Sequence, residues 1–506
     1  MIESTLAQKT ILILGLGETG SAAARWCVQQ GAQVRIADTR QQPPGLEALQ
    51  SLGLAQDAWF LGEQQCYGDA VLAGVDSLVL SPGLEPNEVR LSAFLDKARA
   101  ASVEIIGEIE LFARALSDLA QAHDYQPSVL AITGTNGKTT VTTMVRDMCL
   151  QAGKTALAAG NISPSALTAL MQALAEQALP DVWVLELSSF QMVTTESLKP
   201  HASVVLNITQ DHLDWHGSLE HYAASKAKLL KMSHLAVINR DDPLTRAMVE
   251  HMDDLHVASF GLDMPELVGD MGVEQLNGIS WLCAMDDDEF DMPVSSGRKK
   301  KITERPTRKS GQVKRLMPAD AMRVRGRHNA ANALAAMILC RAIGLSYAPL
   351  LTALRDYQAQ AHRCVFVRSI QGVDFIDDSK GTNVGATQAA LLGMERRVVL
   401  IAGGLGKGQD FSPLAIPVKQ YARALVLIGQ DRQIIADALN STDVPIIFSN
   451  SLEEAVSVSL QHAQEGDVVL LSPACASMDM FKNYHERGEM FVQAVEQLAR
   501  DQGEML

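Results

Sequence analysis

The chain has 506 residues, 47% of them hydrophobic and 20% charged, with a formal net charge of −16. Domains run to roughly 100 to 200 residues, so this length needs more than one core, and three is the working number. The acidic balance excludes a general nucleic-acid binder, because phosphate backbones are gripped by clustered Lys and Arg that release counterions; a locally basic site for small anions stays open. Seven cysteines (27, 66, 149, 283, 340, 364 and 475) are scattered and never in C-x-x-C spacing. That pattern suits reduced thiols in the cytoplasm, not a disulfide frame or a zinc site. The N-terminal "MIESTLAQKTILILGLG" lacks a basic stretch and its apolar run breaks into glycines, so neither a signal peptide nor a membrane span is expected.

Taken in chain order, the first segment alternates β-rich runs with helical patterns: "TILILGLG" (10–17), "QVRIADT" (33–39), "SLVLSPG" (77–83) and "VEIIGEIELF" (103–112). Near-continuous apolar strands alternating with helices imply a parallel, right-handed βαβ sheet. A polar stretch, "SDLAQAHDYQPS" (117–128), reads as a linker. A second α/β series runs from "VLAITG" through "VWVLELSSF" (182–190), "ASVVLNITQ" (202–210) and "HLAVINRDDP" (234–243) to an alanine-rich helix in 326–344. Before that helix, acidic "DDDEFD" (286–291) meets a basic run over 296–315, expected to be a solvated excursion without catalytic role. A third series follows "AHRCVFV": "VDFIDDS" (373–379), "RRVVLIAGGLG" (396–406), "ALVLIG" (424–429), "VPIIFS" (444–449) and "DVVLLSPACAS" (467–477).

"GLGETG" places Gly15, Gly17 and Gly20 in G-x-G-x-x-G spacing after a predicted strand, with Asp38 ending the next one. Such glycines permit a tight turn and close approach of a pyrophosphate to a helix N-terminus, and the acid can bind a ribose hydroxyl. Three readings stand: simple helix packing, NAD, or the diphosphate and uridine of a nucleotide-linked substrate. In "AITGTNGKTT" (131–140) a strand runs into Gly134, Thr135, Asn136, Gly137, Lys138, Thr139, Thr140 and Val141, where the usual G-x-x-x-x-G-K-[ST] loop would need glycine at Ile132. Backbone N–H groups and the helix dipole would hold phosphates there, Lys138 would neutralise them, and Thr139 would reach magnesium. ATP is the favoured ligand. Glu186, at a strand's C-terminal end, is a candidate hard-oxygen ligand, since an unpaired buried carboxylate is costly. "NITQDHLDWHG" adds Asp211, His212, Asp214 and His216 at the same sheet edge, while Lys226 and Lys228 read by composition as surface lysines. Asp377, Asp378, Lys380, Thr382 and Lys407 sit in mixed-charge loops after strands, suited to a zwitterion or carboxylates.

Taken together, "GTNGKTT", "LELSSFQ", "NITQDHLDWHG", "YAASKAKLL", "GRHNAANALAA", "AHRC", "DDSKGTNVGAT" and "LLSPACASMDMFKNYHERG" resemble the Mur ligase family nearly end to end and in order, closest to its D-glutamate-adding branch. The shortened G-x-x-G-K-[ST] loop is that family's form. The resemblance implies an α/β protein of three tandem domains with mainly parallel sheets: a Rossmann-like UDP-binding domain (1–118), a P-loop ATPase-like centre (119–358, with a charged insertion at about 284–318) and a Rossmann-like amino-acid domain (359–506). It implies ATP-dependent addition of D-glutamate to UDP-N-acetylmuramoyl-L-alanine through an acyl phosphate, by a cytoplasmic monomer with no nucleic-acid or membrane partner. On that likeness Thr19, Asp38, Thr39, Ser81, Gly83, Asn161 and His212 would contact the UDP substrate. Asn329 and Asn332 would meet adenine, Arg363 the transferring phosphate, and Asp378 the ATP ribose. Lys380, Thr382, Lys407, Ser477 and Tyr484 would surround D-glutamate. Two magnesium ions would be held by Thr139, Glu186, His212 and Lys226, the last as a carbamate.

Departures from the family pattern are Gln360 and Ala361 in place of Leu-Pro, Val365 in place of Glu, Tyr484 in place of Phe, and the longer charged excursion. The competing readings are another amino-acid-adding ligase such as a folate polyglutamate ligase, a non-catalytic nucleotide sensor, and an NAD-dependent dehydrogenase.

Overall fold

The structure, a computed structural model, describes residues 5–50, 52–250, 252, 255–287, 309–324, 326–394 and 396–504. Its backbone forms three sheets in chain order. The first contains β1 (Thr10–Leu14), β2 (Gln33–Asp38), β3 (Trp59–Leu61), β4 (Ser77–Leu80) and β5 (Glu104–Ile106), parallel in the order β3-β2-β1-β4-β5. The strand expected over 103–112 is only three residues long; Gly107 ends it and Glu108 opens a helix that runs to His123. The stretch taken for a linker is therefore helical as far as His123, because Leu111, Phe112, Ala115 and Leu119 recur at helical spacing and are buried.

The central sheet has nine strands: β6 (Ser128–Thr133), β7 (Ala156–Gly160), β8 (Val182–Glu186), β9 (Ala202–Val205), β10 (Leu235–Asn239), β11 (His256–Phe260), β12 (Met271–Leu276), β13 (Ile279–Asp286) and β14 (Gln312–Pro318). Their order is β14-β13-β12-β11-β10-β9-β6-β8-β7, parallel except that β13 runs antiparallel to its neighbours β12 and β14. The charged excursion thus joins two paired strands: Asp286 and Gln312 are register partners, and most of the acidic and basic runs, 288–308, lies outside the described residues. Alternating polar residues in β12 and β14 hid these strands from a search for apolar runs.

The third sheet is β15 (Val365–Ile370), β16 (Val373–Asp377), β17 (Val398–Gly403), β18 (Ala422–Ile428), β19 (Ile446–Phe448) and β20 (Val468–Leu471), in the order β15-β16-β20-β17-β18-β19 with only β15 antiparallel.

The cores are not equally separate. One apolar cluster runs from Ile13 and Trp26 through Phe112 to Trp183 and Leu185, so the first sheet and one face of the central sheet share an interior. Phe112 meets Trp183 edge-on at 5.1 Å, an arrangement that adds about 1 kcal/mol to the area buried. Among the described residues, no buried apolar cluster spans the central and third sheets: one ends at Tyr357 and the next begins at Cys364.

Glu108 stands at the shared interior. One carboxylate oxygen accepts the Leu167 N–H at 2.6 Å, while the other is buried without a partner. Burial pushes its pKa from 4.5 up to about 7. Because the folded state holds this proton more tightly than the unfolded chain, the stabilisation is complete below pH 4.5 and drains away as pH rises through about 7. Glu108→Gln should therefore gain on the wild type by roughly 2 kcal/mol between pH 5 and pH 8, read as the difference in urea midpoints at the two pH values. An unchanged difference would mean that Glu108 does not titrate in this window.

Candidate active site

β6 ends at Thr133 and the chain turns through Gly134 (φ +146°) and Gly137 (φ +84°) into the helix Lys138–Gln151. Both glycines are also needed for space. A Cβ on Gly134 would lie 2.9 Å from Leu206 Cβ, and one on Gly137 2.7 Å from Asn332 Oδ1. The Lys138 ammonium folds back over the loop and donates to the carbonyls of Gly134 at 2.9 Å and Thr135 at 2.8 Å. Burial lowers its pKa. The Asn136 N–H donates to Asn207 Oδ1 at 2.9 Å, and Asn207 Nδ2 returns a bond to the Asn136 carbonyl at 3.1 Å. Thr139, Thr140 and Val141 follow in the first turn, where helix N–H groups point outward and no acidic side chain competes with an anion.

Glu186 ends β8, opposite Ile132 of β6 and Gly160 of β7, and is 2% exposed. Oε1 accepts from Asn161 Nδ2 at 3.0 Å, whereas Oε2 is buried with no partner. An orphaned carboxylate oxygen beside a phosphate-type loop fits a magnesium ion, which takes one or two protein carboxylates and completes its shell with water and phosphate. Among the described residues no group of three or more His, Cys, Asp or Glu forms a metal cage, in keeping with that mode.

Lys226 is not at the surface. It is 1% exposed, its ammonium donating to the Gly134 carbonyl at 3.0 Å and Thr133 Oγ1 at 3.4 Å and lying 4.6 Å from the centre of the Tyr222 ring. Burial, with Lys138 adding repulsion, holds its pKa well below the usual 10.5. Composition could not reveal this; the helix Leu219–Lys231 turns that face inward through Tyr222, Leu229 and Leu230.

His212, in the left-handed conformation (φ +52°), lies edge-on to Phe190 at 4.8 Å and 3.6 Å from Asp211, with its pKa lowered by burial. His216 instead pairs with Ser189 Oγ at 2.9 Å and stacks on Phe190. Burial and the nearby Lys226 bring its pKa down to about 4, so it is a neutral packing residue at physiological pH.

Between the central and third sheets lies a cleft of about 610 Å³, lined among others by Asn136, Asn329, Asn332, Arg363, Asp378 and Lys380. Its far wall carries the loop after β16, at the edge where open α/β sheets bind ligands, and the helix Val384–Met394 that follows. The loops after β16, β17 and β20 are tied together. Leu405 and Ala476 exchange backbone bonds, the Ala474 N–H donates to the Gly381 carbonyl, and Gln409 Oε1 accepts from the Val384 N–H. Asp378 accepts from Ser472 Oγ at 2.7 Å and is pushed up to about 7 by burial. The Lys380 ammonium sits 3.9 Å from the centre of the Tyr484 ring, and burial lowers its pKa to about 8. The Thr382 N–H donates to the Lys380 carbonyl, Lys407 takes the left-handed conformation (φ +52°), and Ser477 is buried in the loop after β20.

The first sheet carries the remaining candidates. Gly15 has φ +91°, Ser81 Oγ donates to its carbonyl at 2.7 Å, and a Cβ on Gly20 would fall 1.9 Å from that same oxygen. A Cβ on Gly17 would meet nothing within 4 Å, so the turn leaves room on its outer side, beside Thr19 in the first helical turn. Asp38 already accepts the Leu16 N–H at 2.7 Å and pairs with Arg40, contacts that hold its pKa low. Thr39, half-buried, and Gly83, exposed, follow β2 and β4 in the loops after those strands.

Sequence reasoning missed Asn207, Asn383 and Arg487, and while it singled out Asp377 it did not foresee that Asp377 Oδ2 is held in a buried pair with His362 Nδ1 at 2.6 Å. Arg487, 1% exposed, donates to the carbonyls of Ser379 at 2.8 Å and Cys475 at 3.2 Å and to Ser379 Oγ at 3.0 Å. Arg487→Met would leave those buried acceptors unpaired and should cost about 3 kcal/mol in a urea melt; a loss under about 1 kcal/mol would show that the loops do not depend on it.

Three family patterns match consecutive parts of the chain: "Mur ligase MurD-like, N-terminal domain" over residues 9–107, "Mur ligase middle domain" over 132–340 and "Mur ligase, glutamate ligase domain" over 362–475. The chain belongs to the Mur ligase family. A relative named UDP-N-acetylmuramoylalanine--D-glutamate ligase from Bordetella avium is 56% identical over 98% of this chain and 97% of its own length. One of the same name from Ralstonia nicotianae is 51% identical over 99% of each. Among solved structures, MurF from Acinetobacter baumannii superposes with a TM-score of 0.57 at 16% identity, covering 96% of this chain and 91% of its own. MurF from Thermotoga maritima in complex with ADP gives 0.56 at 15% identity, covering 99% and 98%. Those two likenesses show the shared three-domain Mur ligase fold. No helix among the described residues is long and apolar enough to cross a membrane.

Proposed function

We propose that this Mur ligase is an ATP-dependent amide ligase that joins D-glutamate to the L-alanine carboxylate of UDP-N-acetylmuramoyl-L-alanine, a step of peptidoglycan precursor synthesis. The observation that carries the reaction class is one cleft with Asn136, Gly137 and Thr140 of the phosphate-type loop on one wall and Asp378, Lys380 and Gly381 on the other. The choice of substrates rests on full-length likeness to ligases named for them.

A carboxylate is a weak nucleophile and ATP a polyanion, so positive charge has to be concentrated where they meet. The loop N–H groups of residues 134–140, Lys138 and Arg363 supply fixed donors for the triphosphate. Thr139 and Glu186 would hold one magnesium ion, and His212 with a carbamate on Lys226 a second; when bound, these ions neutralise charge that builds up on the transferring phosphoryl group. The depressed pKa of Lys226 favours its neutral amine, the form that adds CO2 to become an anionic oxygen ligand. Attack of the alanine carboxylate on the γ-phosphoryl group gives an acyl phosphate and ADP. The D-glutamate amine then adds to the acyl carbon and phosphate departs, leaving the amide. Lys380, Thr382, Lys407, Ser477 and Tyr484 would orient the D-glutamate carboxylates, Asn329 and Asn332 adenine, and Asp378 the ribose. Thr19, Asp38, Thr39, Ser81 and Gly83 would take the uridine diphosphate; Asn161, bonded to Glu186, would link the sugar end to the metal site. The same reading makes the protein a cytoplasmic monomer of three domains, 1–118, 119–358 and 359–506, without nucleic-acid or membrane partners.

Phosphate release with ATP, magnesium and UDP-N-acetylmuramoyl-L-alanine should require D-glutamate and fail with L-glutamate, meso-diaminopimelate or tetrahydrofolate; release with only one of the latter would overturn the substrate. Lys138→Ala and Glu186→Ala should lower kcat at least ~1000-fold. Lys226→Ala should be inactive and regain part of its rate with a short carboxylic acid in the buffer, and failure of that rescue would count against the carbamate.

A further inference from the structure

The central and third domains share no buried apolar cluster among the described residues, yet they touch along a polar seam. Asn136, at the tip of the phosphate-type loop, and Asn383, in the turn after β16, exchange side-chain amide bonds. Asn136 Nδ2 donates to Asn383 Oδ1 at 3.2 Å, and Asn383 Nδ2 donates to Asn136 Oδ1 at 3.0 Å. Asn383 is 3% exposed, its Nδ2 also reaches Asp211 Oδ2 at 3.4 Å, and its Oδ1 accepts the Ala386 N–H at 2.9 Å. Each partner is tied to chemistry on its own side. The Asn136 backbone is held by Asn207, and Asn383 follows Thr382 in the loop that carries Asp378 and Lys380.

Two residues on, Gly385 brings helix Val384–Met394 against the central domain. A Cβ there would lie 2.6 Å from Thr209 Oγ1 and 3.0 Å from Thr209 Cβ. Its φ is not in the left-handed region, so glycine is needed for space alone. The Asp410 N–H to Gln210 Oε1 contact at 3.3 Å extends the same seam. A reciprocal amide pair is directional and is satisfied in one relative placement of two bodies, whereas apolar contact would tolerate sliding.

We propose that Asn383 and Gly385 are positioning residues that latch the third domain onto the phosphate-binding loop, setting the amino-acid loop over the activated carboxylate for each turnover. This deepens the ligase reading and rests on it.

The test is a set of variants beside the wild type, whose own D-glutamate-dependent phosphate release checks the reading independently: an inactive wild type sinks that reading, whereas the latch fails on the variants alone. Asn383→Ala should lower kcat about tenfold while ADP binding to the free enzyme, followed by calorimetry, stays as in the wild type. Asn136→Ala should do the same to kcat, and the double variant should lose clearly less than the product of the two single losses, since the two side chains share one reciprocal contact. Gly385→Ala should lower kcat further and regain part of its rate when combined with Thr209→Ala, which removes the Oγ1 and Cγ2 atoms that a Cβ at 385 would meet first. With a non-hydrolysable ATP analogue, small-angle scattering should give Gly385→Ala a larger radius of gyration than the wild type. Additive losses at Asn136 and Asn383, or an Asn383→Ala effect confined to the KM for D-glutamate, would overturn the latch. So would a Gly385→Ala variant that is as compact as the wild type. Should Gly385→Ala not fold, the Asn136 and Asn383 cycle decides alone.

Discussion

The structure depends on gathering cationic and N–H donors at the rim of one parallel sheet, where the chain must hold an ammonium in a poorly hydrated place. Lys138 and Lys226 both donate to the carbonyl of Gly134, so two like charges converge on one loop. Burial depresses both, with Lys138 adding repulsion at Lys226 and Arg363 adding it at Lys138. Two buried ammonium groups on one loop are costly by themselves and are stabilised by anions. Glu186, with one oxygen bonded to Asn161 and the other orphaned, is its counterpart of opposite sign. A site frustrated in both signs is what a metal–triphosphate ligand would satisfy.

The architecture distributes rigidity around that site unequally. The first sheet and the central sheet share an interior through Phe112 and Trp183, and Glu110 accepts the N–H groups of Glu196 and Ser197 across the same boundary. The third sheet has its own cores and reaches the others through a cleft and a polar seam. Its three loops are nonetheless bound into one body by Arg487, Gln409 and the Leu405–Ala476 bridge. A firm scaffold on one side and a firm but separate jaw on the other suits a reaction whose last reactant is delivered after the first step.

Much of this was legible in the sequence, for identifiable reasons. The parallel strands β1, β4, β6, β8, β17 and β20 are continuous apolar runs because helices cover both faces, and the glycines at 134 and 137 stand where the backbone turns left-handed. What escaped were β3, β7, β11 and the strands β12 to β15, whose exposed positions break the run. The helix from Glu108 was misread because its start, "EIELF", alternates polar and apolar residues as a strand would, so the pattern was carried across Gly107.

The sequence by itself determined the class of fold, the phosphate-type loop and the order of the site's parts, because each of these is written in spacing between near neighbours along the chain. Only the tertiary structure decided that Lys226 is buried beneath Gly134, that Asn161 bonds Glu186, and that Asn136 meets Asn383 across 247 positions of chain. Burial and pairing at that range are properties of packed surfaces, and the same lysine or asparagine would read identically on a solvated helix or loop.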